Sequence, residues 1–231
     1  MTKPKMASER GGRGRLRGLY AITPDIPDTP RLALLARECL EGGAAALQYR
    51  AKGVAPALAL VQARQLATLC RAHGALFIVN DSLELALAVE ADGVHLGRDD
   101  EPARHARMIL PSGIIGVSCY DDPRRAQAAA ADGADYVAIG SLFASSTKPG
   151  AVRAPLAAIG EARASSGLPV VAIGGITHAN AHEALAAGAD MVAVIGAVFS
   201  AEDVRAAARA FARLFDPIPG HDHVRPQPRA L

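Results

Sequence analysis

Two acidic sites, one helix-length segment apart, are the most chemically loaded feature of the chain. The apolar run Leu76–Val79 ends in Asn80-Asp81, and the run Gly93–Leu96 ends in Gly97-Arg98-Asp99-Asp100. Parallel strands joined by a helix place both C-terminal ends on one rim, so Asp81 and Asp100 are expected to meet there and share a cation. The run from Ala45 to Tyr49 leads into Gln48-Tyr49-Arg50-Ala51-Lys52. Alternation along a strand sends Gln48 and Arg50 to one side, and Lys52 follows in the loop.

Other polar groups stand just past further apolar runs. Ser118 closes the run from Ile114, and the segment after Gly140 carries Ser145, Ser146, Thr147 and Lys148 before Pro149-Gly150. Hydroxyls beside a lysine suit phosphate oxygens. Ile173-Gly174-Gly175-Ile176 and Ile195-Gly196-Ala197 are each expected to open a helix, whose bare N–H groups can hold a phosphate. An acidic pair among cations makes chemical sense with Mg²⁺, which one or two carboxylates and substrate phosphates commonly hold. The inferred substrates are one phosphate ester and one diphosphate.

Positioning these groups requires a regular scaffold. Half of the 231 residues are hydrophobic and 4% are aromatic, so burial rests on Ala, Val, Leu and Ile, as in helices packed on branched strands. Eight short apolar runs recur: 19–23, 45–49, 76–79, 93–96, 114–118, 136–140, 169–173 and 191–195, with amphipathic segments such as 31–41 and 55–72 between them. Joints at Gly42-Gly43, Gly93, Gly133 and Gly188 supply the glycine that a left-handed helix C-cap asks for. The pattern predicts a single-domain α/β fold, a closed (β/α)8 TIM barrel over residues 19–215. An open doubly wound sheet is disfavoured because its G-x-G-x-x-G fingerprint is absent.

Residues 1–18 carry six basic side chains against Glu9 and little to bury, which predicts a disordered basic arm. Residues 216–231 hold four prolines and no periodicity, so an irregular tail is expected, with His221 and His223 solvated. With +5 in the arm and +2 overall, the remainder bears −3, a poor surface for nucleic acid. Three widely spaced cysteines argue for a reducing compartment. No apolar run approaches the roughly 20 residues of a membrane span, and a cytoplasmic location is expected. Small-molecule partners are expected, and a homo-oligomer is left open.

Gln48-x-Arg50-x-Lys52, Asn80-Asp81, GVHLGRDD, GVSCY, SSTKPGA and VVAIGGIT stand in an order and spacing that resembles the thiamine-phosphate synthase family, from about Leu19 to Phe215. The resemblance implies that 4-amino-2-methyl-5-hydroxymethylpyrimidine diphosphate loses pyrophosphate and that the nitrogen of a thiazole phosphate captures the pyrimidine methylene, giving thiamine phosphate. It further implies that Gln48, Arg50, Lys52 and Asn80 hold the pyrimidine diphosphate and that Asp81 and Asp100 bind Mg²⁺. Ser118 and Lys148 would contact pyrophosphate or pyrimidine. Ser145, Thr147, Gly175, Ile195 and Gly196 would hold the thiazole phosphate. Arg50, Lys52, Ser118 and Lys148 are thus the expected catalytic side chains. Three residues depart from the family pattern: Arg98 where Gln is frequent, Ser145 where Thr is frequent, and Gly196 where Ser is frequent.

Plainer uses compete with these roles. Asp99 and Asp100 could sit at a helix N-terminus before Pro102, and Asp81 could cap a helix from Ser82. His95, inside a strand, reads as a packing residue, and His178 and His182 as a surface pair. Two other functions remain in view: a thiazole tautomerase-like relative, which needs no diphosphate site, and a non-catalytic sensor of a phosphorylated metabolite.

Overall fold

The computed structural model describes residues 15–145, 150 and 152–216. The expected proline-rich tail beyond Asp216 and most of the basic arm lie outside the described residues, as do Thr147 and Lys148. Eight strands form a closed, all-parallel barrel: β1 Gly18–Ile22, β2 Ala46–Tyr49, β3 Leu76–Asn80, β4 Gly93–Leu96, β5 Ile114–Tyr120, β6 Tyr136–Ile139, β7 Val170–Ile173 and β8 Met191–Val194. The ring closes where β1 pairs with β8, from Gly18 opposite Met191 to Ala21 opposite Val194. The expected TIM barrel is the observed fold.

Helices follow the strands in order. They are α1 Thr29–Glu41, α2 Pro56–His73, α3 Leu83–Ala88, α4 Ala103–Ile109, α5 Arg124–Ala131, α6 Ala157–Ser166, α7 Ala181–Ala186, α8 Gly196–Phe199 and α9 Val204–Ala212. Among the described residues no helix is long and apolar enough to cross a membrane. The period of two along each strand sorts the core into two layers. In β1, Leu19 and Ala21 join the cluster packed under the helices, while Tyr20 and Ile22 join an interior cluster with Ile78, Tyr136, Val171 and Met191. Gly116 makes room for the interior ring of Tyr136, since a Cβ there would lie 2.0 Å from Tyr136 Cζ.

Residues 15–18, grouped with the basic arm by composition, belong to the barrel. Leu16 is 3% exposed within the interior cluster, Arg15 Nη2 donates to Gly74 O at 2.7 Å, and Gly18 opens β1. One cap assignment also differs. Gly43, Gly133 and Gly188 take the positive φ expected after a helix, but at the joint before Gly93 it is Glu90 that does so, with φ 52°. Gly93 is instead required by close approach, because its Cβ would meet Ile114 O at 2.0 Å.

Three aspartates tie neighbouring strands at their N-terminal ends. Asp92, Asp135 and Asp190 each stand directly before an even-numbered strand and accept, through Oδ2, a backbone N–H from the strand before it. The donors are Phe77 at 2.8 Å, Ile115 at 3.0 Å and Val170 at 2.9 Å. Arg107 pairs with Asp135 and also donates to Gly113 O at 2.8 Å and Gly133 O at 2.9 Å. Asp135 is 3% exposed, so removing it strands a part-buried guanidinium and a buried N–H. Asp135→Ala is expected to lower unfolding stability by about 3 kcal/mol in urea titration. A loss below about 0.5 kcal/mol, the range of ordinary surface substitutions, would contradict this reading.

Candidate active site

At the mouth formed by the strands' C-terminal ends lies a cavity of about 780 Å³. Its walls include Gln48, Arg50, Asn80, Ser118, Ser145, Gly175, Ile195 and Gly196, so eight of the expected site residues, drawn from six strands and their loops, meet around one space. Thr147 and Lys148 fall outside the described residues.

Asp81, Asp100 and Lys52 gather beside this cavity, next to Arg50. Asp81 holds a left-handed backbone, φ 63°, anchored by its N–H donating to His95 O at 2.8 Å. Asp100 folds back so that its Oδ2 accepts from Gly97 N at 2.6 Å. Burial, then the hydrogen bond and charge of Asp100, push the Asp81 carboxyl up to about 6, against the opposing charges of Lys52 and Arg50. Lys52 Nζ stands 3.9 Å from Asp81 Oδ2. Neither residue makes a capping hydrogen bond: Ser82 accepts from Leu85 N as the cap of α3, and α4, which begins just after Pro102, has no side-chain cap. Among the described residues no group of three or more His, Cys, Asp or Glu side chains could hold a metal. A facing carboxylate pair is a donor set that a divalent cation would relieve, with the remaining coordination left to water or a ligand.

The cation side of the site is organised by a residue absent from the expectations. Asp25, just past β1, accepts from Arg50 Nη1 at 3.2 Å and from the Lys52 backbone N–H at 2.7 Å. Thr23 accepts from the Arg50 N–H at 3.0 Å, which holds the end of β2 against the end of β1. The signal was available in the same way as for the other strands, as a carboxylate following the first apolar run. Tyr120 is a second such residue. Its backbone has φ 56° where the β5–β6 register shifts, its hydroxyl accepts from Arg98 N at 3.0 Å, and the Arg98 guanidinium lies 4.6 Å over its ring. Arg98 therefore lines the cavity.

A family model described as thiamine monophosphate synthase matches residues 19–198. The chain belongs to the thiamine monophosphate synthase family. It is 55% identical over 203 residues to a thiamine-phosphate synthase of Aromatoleum aromaticum, covering 87% of this chain and 98% of that one. A thiamine-phosphate synthase of Chromobacterium violaceum is likewise 55% identical over 202 residues, covering 87% and 97%. Among solved structures, thiamine phosphate pyrophosphorylase from Pyrococcus furiosus superposes with a TM-score of 0.79 at 40% identity, over 88% of this chain and 96% of that one. This family member is an enzyme, a transferase.

One expectation about the phosphate-binding backbone needs correction. Gly196 does open α8, but Gly174 and Gly175 open no helix: five residues separate Gly175 from α7. Their positive φ values, 98° and 65°, serve close packing, since Cβ atoms there would lie 2.3 Å from Ser141 Oγ and 2.2 Å from Ala144 O. Cys119, beside Ser118, is fully buried, and burial pushes its thiol up to about 12, so it supplies no thiolate nucleophile. All three cysteines are free and buried.

The strained carboxylate pair has a measurable pH signature. A carboxyl raised from 3.8 to about 6 favours the folded state while protonated, and that stability is lost as pH rises through the folded value. Asp81→Asn, whose new side chain tolerates a left-handed backbone, is expected to raise the melting temperature at neutral pH without divalent ions. The gain should vanish at pH ~4, where Asp81 is already protonated in the folded state. A variant that melts below the wild type at neutral pH would contradict the like-charge assignment.

Proposed function

We propose that the enzyme joins a hydroxymethylpyrimidine diphosphate to a thiazole phosphate, in a Mg²⁺-dependent reaction that yields thiamine phosphate and pyrophosphate. The observation that carries the reading is the meeting of Asp81 and Asp100 beside a cavity lined by Gln48, Arg50, Asn80 and Ser118, with Gly175, Ile195 and Gly196 on the same cavity. Acids and cations side by side suit a metal–diphosphate complex better than either ion alone. The bond between the pyrimidine methylene and the diphosphate oxygen breaks, the electron pair leaves with pyrophosphate, and the thiazole nitrogen forms the new bond to the methylene.

Asp81 and Asp100 would hold Mg²⁺, and the ion would neutralise charge on the departing diphosphate when bound. Arg50, Lys52 and Lys148 supply fixed positive charge for the same group, and Gln48 and Asn80 position the pyrimidine end. Ser118 donates to the leaving pyrophosphate. Ser145, Thr147 and the backbone at Gly175, Ile195 and Gly196 receive the thiazole phosphate. No side-chain nucleophile is needed, so the protein's contribution is orientation and electrostatic stabilisation. A cytoplasmic location fits three free thiols.

Incubation of the purified protein with both substrates and Mg²⁺ is expected to release thiamine phosphate and pyrophosphate in equal amounts. No product from folded protein would refute the reading. Asp100→Ala should cut turnover on the order of a hundredfold at saturating substrate, comparable to loss of one transition-state electrostatic contact. Unchanged turnover at limiting and saturating Mg²⁺ would remove the metal assignment while leaving the reaction in place.

A further inference from the structure

The barrel interior carries an unbroken polar chain from Gln48 to Ser118 whose three middle members, Tyr20, Tyr136 and His95, the reaction scheme above does not use. Gln48 Nε2 lies 3.0 Å from Tyr20 Oη, and Tyr20 Oη lies 2.7 Å from Tyr136 Oη. Tyr136 Oη is 3.0 Å from His95 Nδ1, and His95 Nε2 is 2.9 Å from Ser118 Oγ. The five residues come from β1, β2, β4, β5 and β6, and the two phenols are buried.

We propose that this chain is a one-way hydrogen-bond relay in which Tyr20, Tyr136 and His95 act as positioning residues, fixing Ser118 as a hydroxyl donor into the cavity. The direction follows from counting hydrogens. An amide nitrogen can only donate, so Tyr20 Oη accepts from Gln48 and must place its own hydrogen elsewhere. The Tyr136 oxygen is the partner within reach. Tyr136 has then accepted, and its hydrogen goes to His95 Nδ1. A ring nitrogen that accepts carries no proton, so the neutral imidazole holds its hydrogen on Nε2 and donates it to Ser118. Ser118 Oγ, having accepted from the interior, turns its hydrogen toward the cavity that it lines.

Reversal is opposed by burial. If His95 donated through Nδ1, Tyr136 would have to turn its hydrogen back on Tyr20, which already accepts from Gln48, and one buried hydroxyl hydrogen would lose its partner. Packing holds the geometry as well. The His95 ring stacks on Tyr136 with centroids 5.6 Å apart and planes 21° from parallel, in the space left by the missing side chain of Gly116. His95 is thus more than filler, because it transmits an orientation from one wall of the barrel to the other. Which oxygen receives the Ser118 hydrogen rests on the proposed function; the tautomer and the direction of the chain do not.

The test has two arms. In the unliganded wild-type protein, long-range ¹⁵N–¹H correlation at neutral pH, with His95 assigned through its own side-chain carbons, is expected to show the Nε2–H tautomer. An Nδ1–H tautomer would mean that Gln48 accepts and the chain runs backwards, which overturns the relay whether or not the protein is a synthase. In the second arm, Tyr136→Phe removes the donor to Nδ1. It should lower kcat roughly tenfold, less than loss of a direct transition-state donor, with KM little changed. Introduced into Ser118→Ala, the same change should add almost nothing, because both act through one hydroxyl. Equal losses in both backgrounds would reduce Tyr136 to a structural role and overturn the positioning claim. An inactive wild type showing the expected tautomer would sink the proposed reaction and leave the relay's direction standing.

Discussion

Closure of the sheet by the β1–β8 pairing is the constraint on which the site depends. In a closed parallel barrel every strand ends on the same mouth, so groups as far apart in sequence as Gln48 and Gly196 line one cavity. Register then decides what faces inward, since a shift of one residue would turn every interior side chain outward. The aspartate ties at Asp92, Asp135 and Asp190 act at the other end of the strands, on backbone N–H groups of β3, β5 and β7. Stability is concentrated at one mouth of the barrel and chemistry at the other.

Between those ends the polar groups divide by charge. The interior chain from Gln48 to Ser118 is polar but involves no obligatory charge, and burial raises both phenols well above their usual value. Charged groups collect at the mouth, where Asp81 and Asp100 face each other and Asp25 braces Arg50 and the Lys52 backbone. Desolvating a single carboxylate is costly, and pressing two together is costlier still. The raised Asp81 value records that unfavourable energy. A site able to bind a cation together with an anionic ligand stores it in the ligand-free state and relieves it on binding.

Much of this was legible in the sequence because the signals are local. Buried parallel strands read as short apolar runs, and seven of the eight fall within one residue of their expected limits, the exception being β5, whose bulged end extends two residues further, to Tyr120. The polar residues after each run could be assigned to the mouth from chain direction alone. What escaped depended on partners distant in sequence. Leu16 looked like one apolar residue in a basic stretch until the barrel interior received it. Gly93 looked like a helix cap, but it answers to Ile114 on the neighbouring strand. His95 looked like packing because no local pattern places it against Ser118 and Tyr136. At Gly174-Gly175 the expected helix start is absent, because these glycines answer to residues 141–144, which lie in another loop.

The claim at the centre of the account is that Asp81 and Asp100 bind a divalent ion jointly with the diphosphate group. Calorimetric titration of pyrophosphate into the protein, with and without Mg²⁺, tests it most directly, because binding partners that share coordination must strengthen each other reciprocally. The account predicts tighter pyrophosphate binding with Mg²⁺ and loss of that gain in Asp100→Asn, with the Mg²⁺-independent affinity retained. Equal affinity with and without Mg²⁺, or a gain that survives Asp100→Asn, would contradict it.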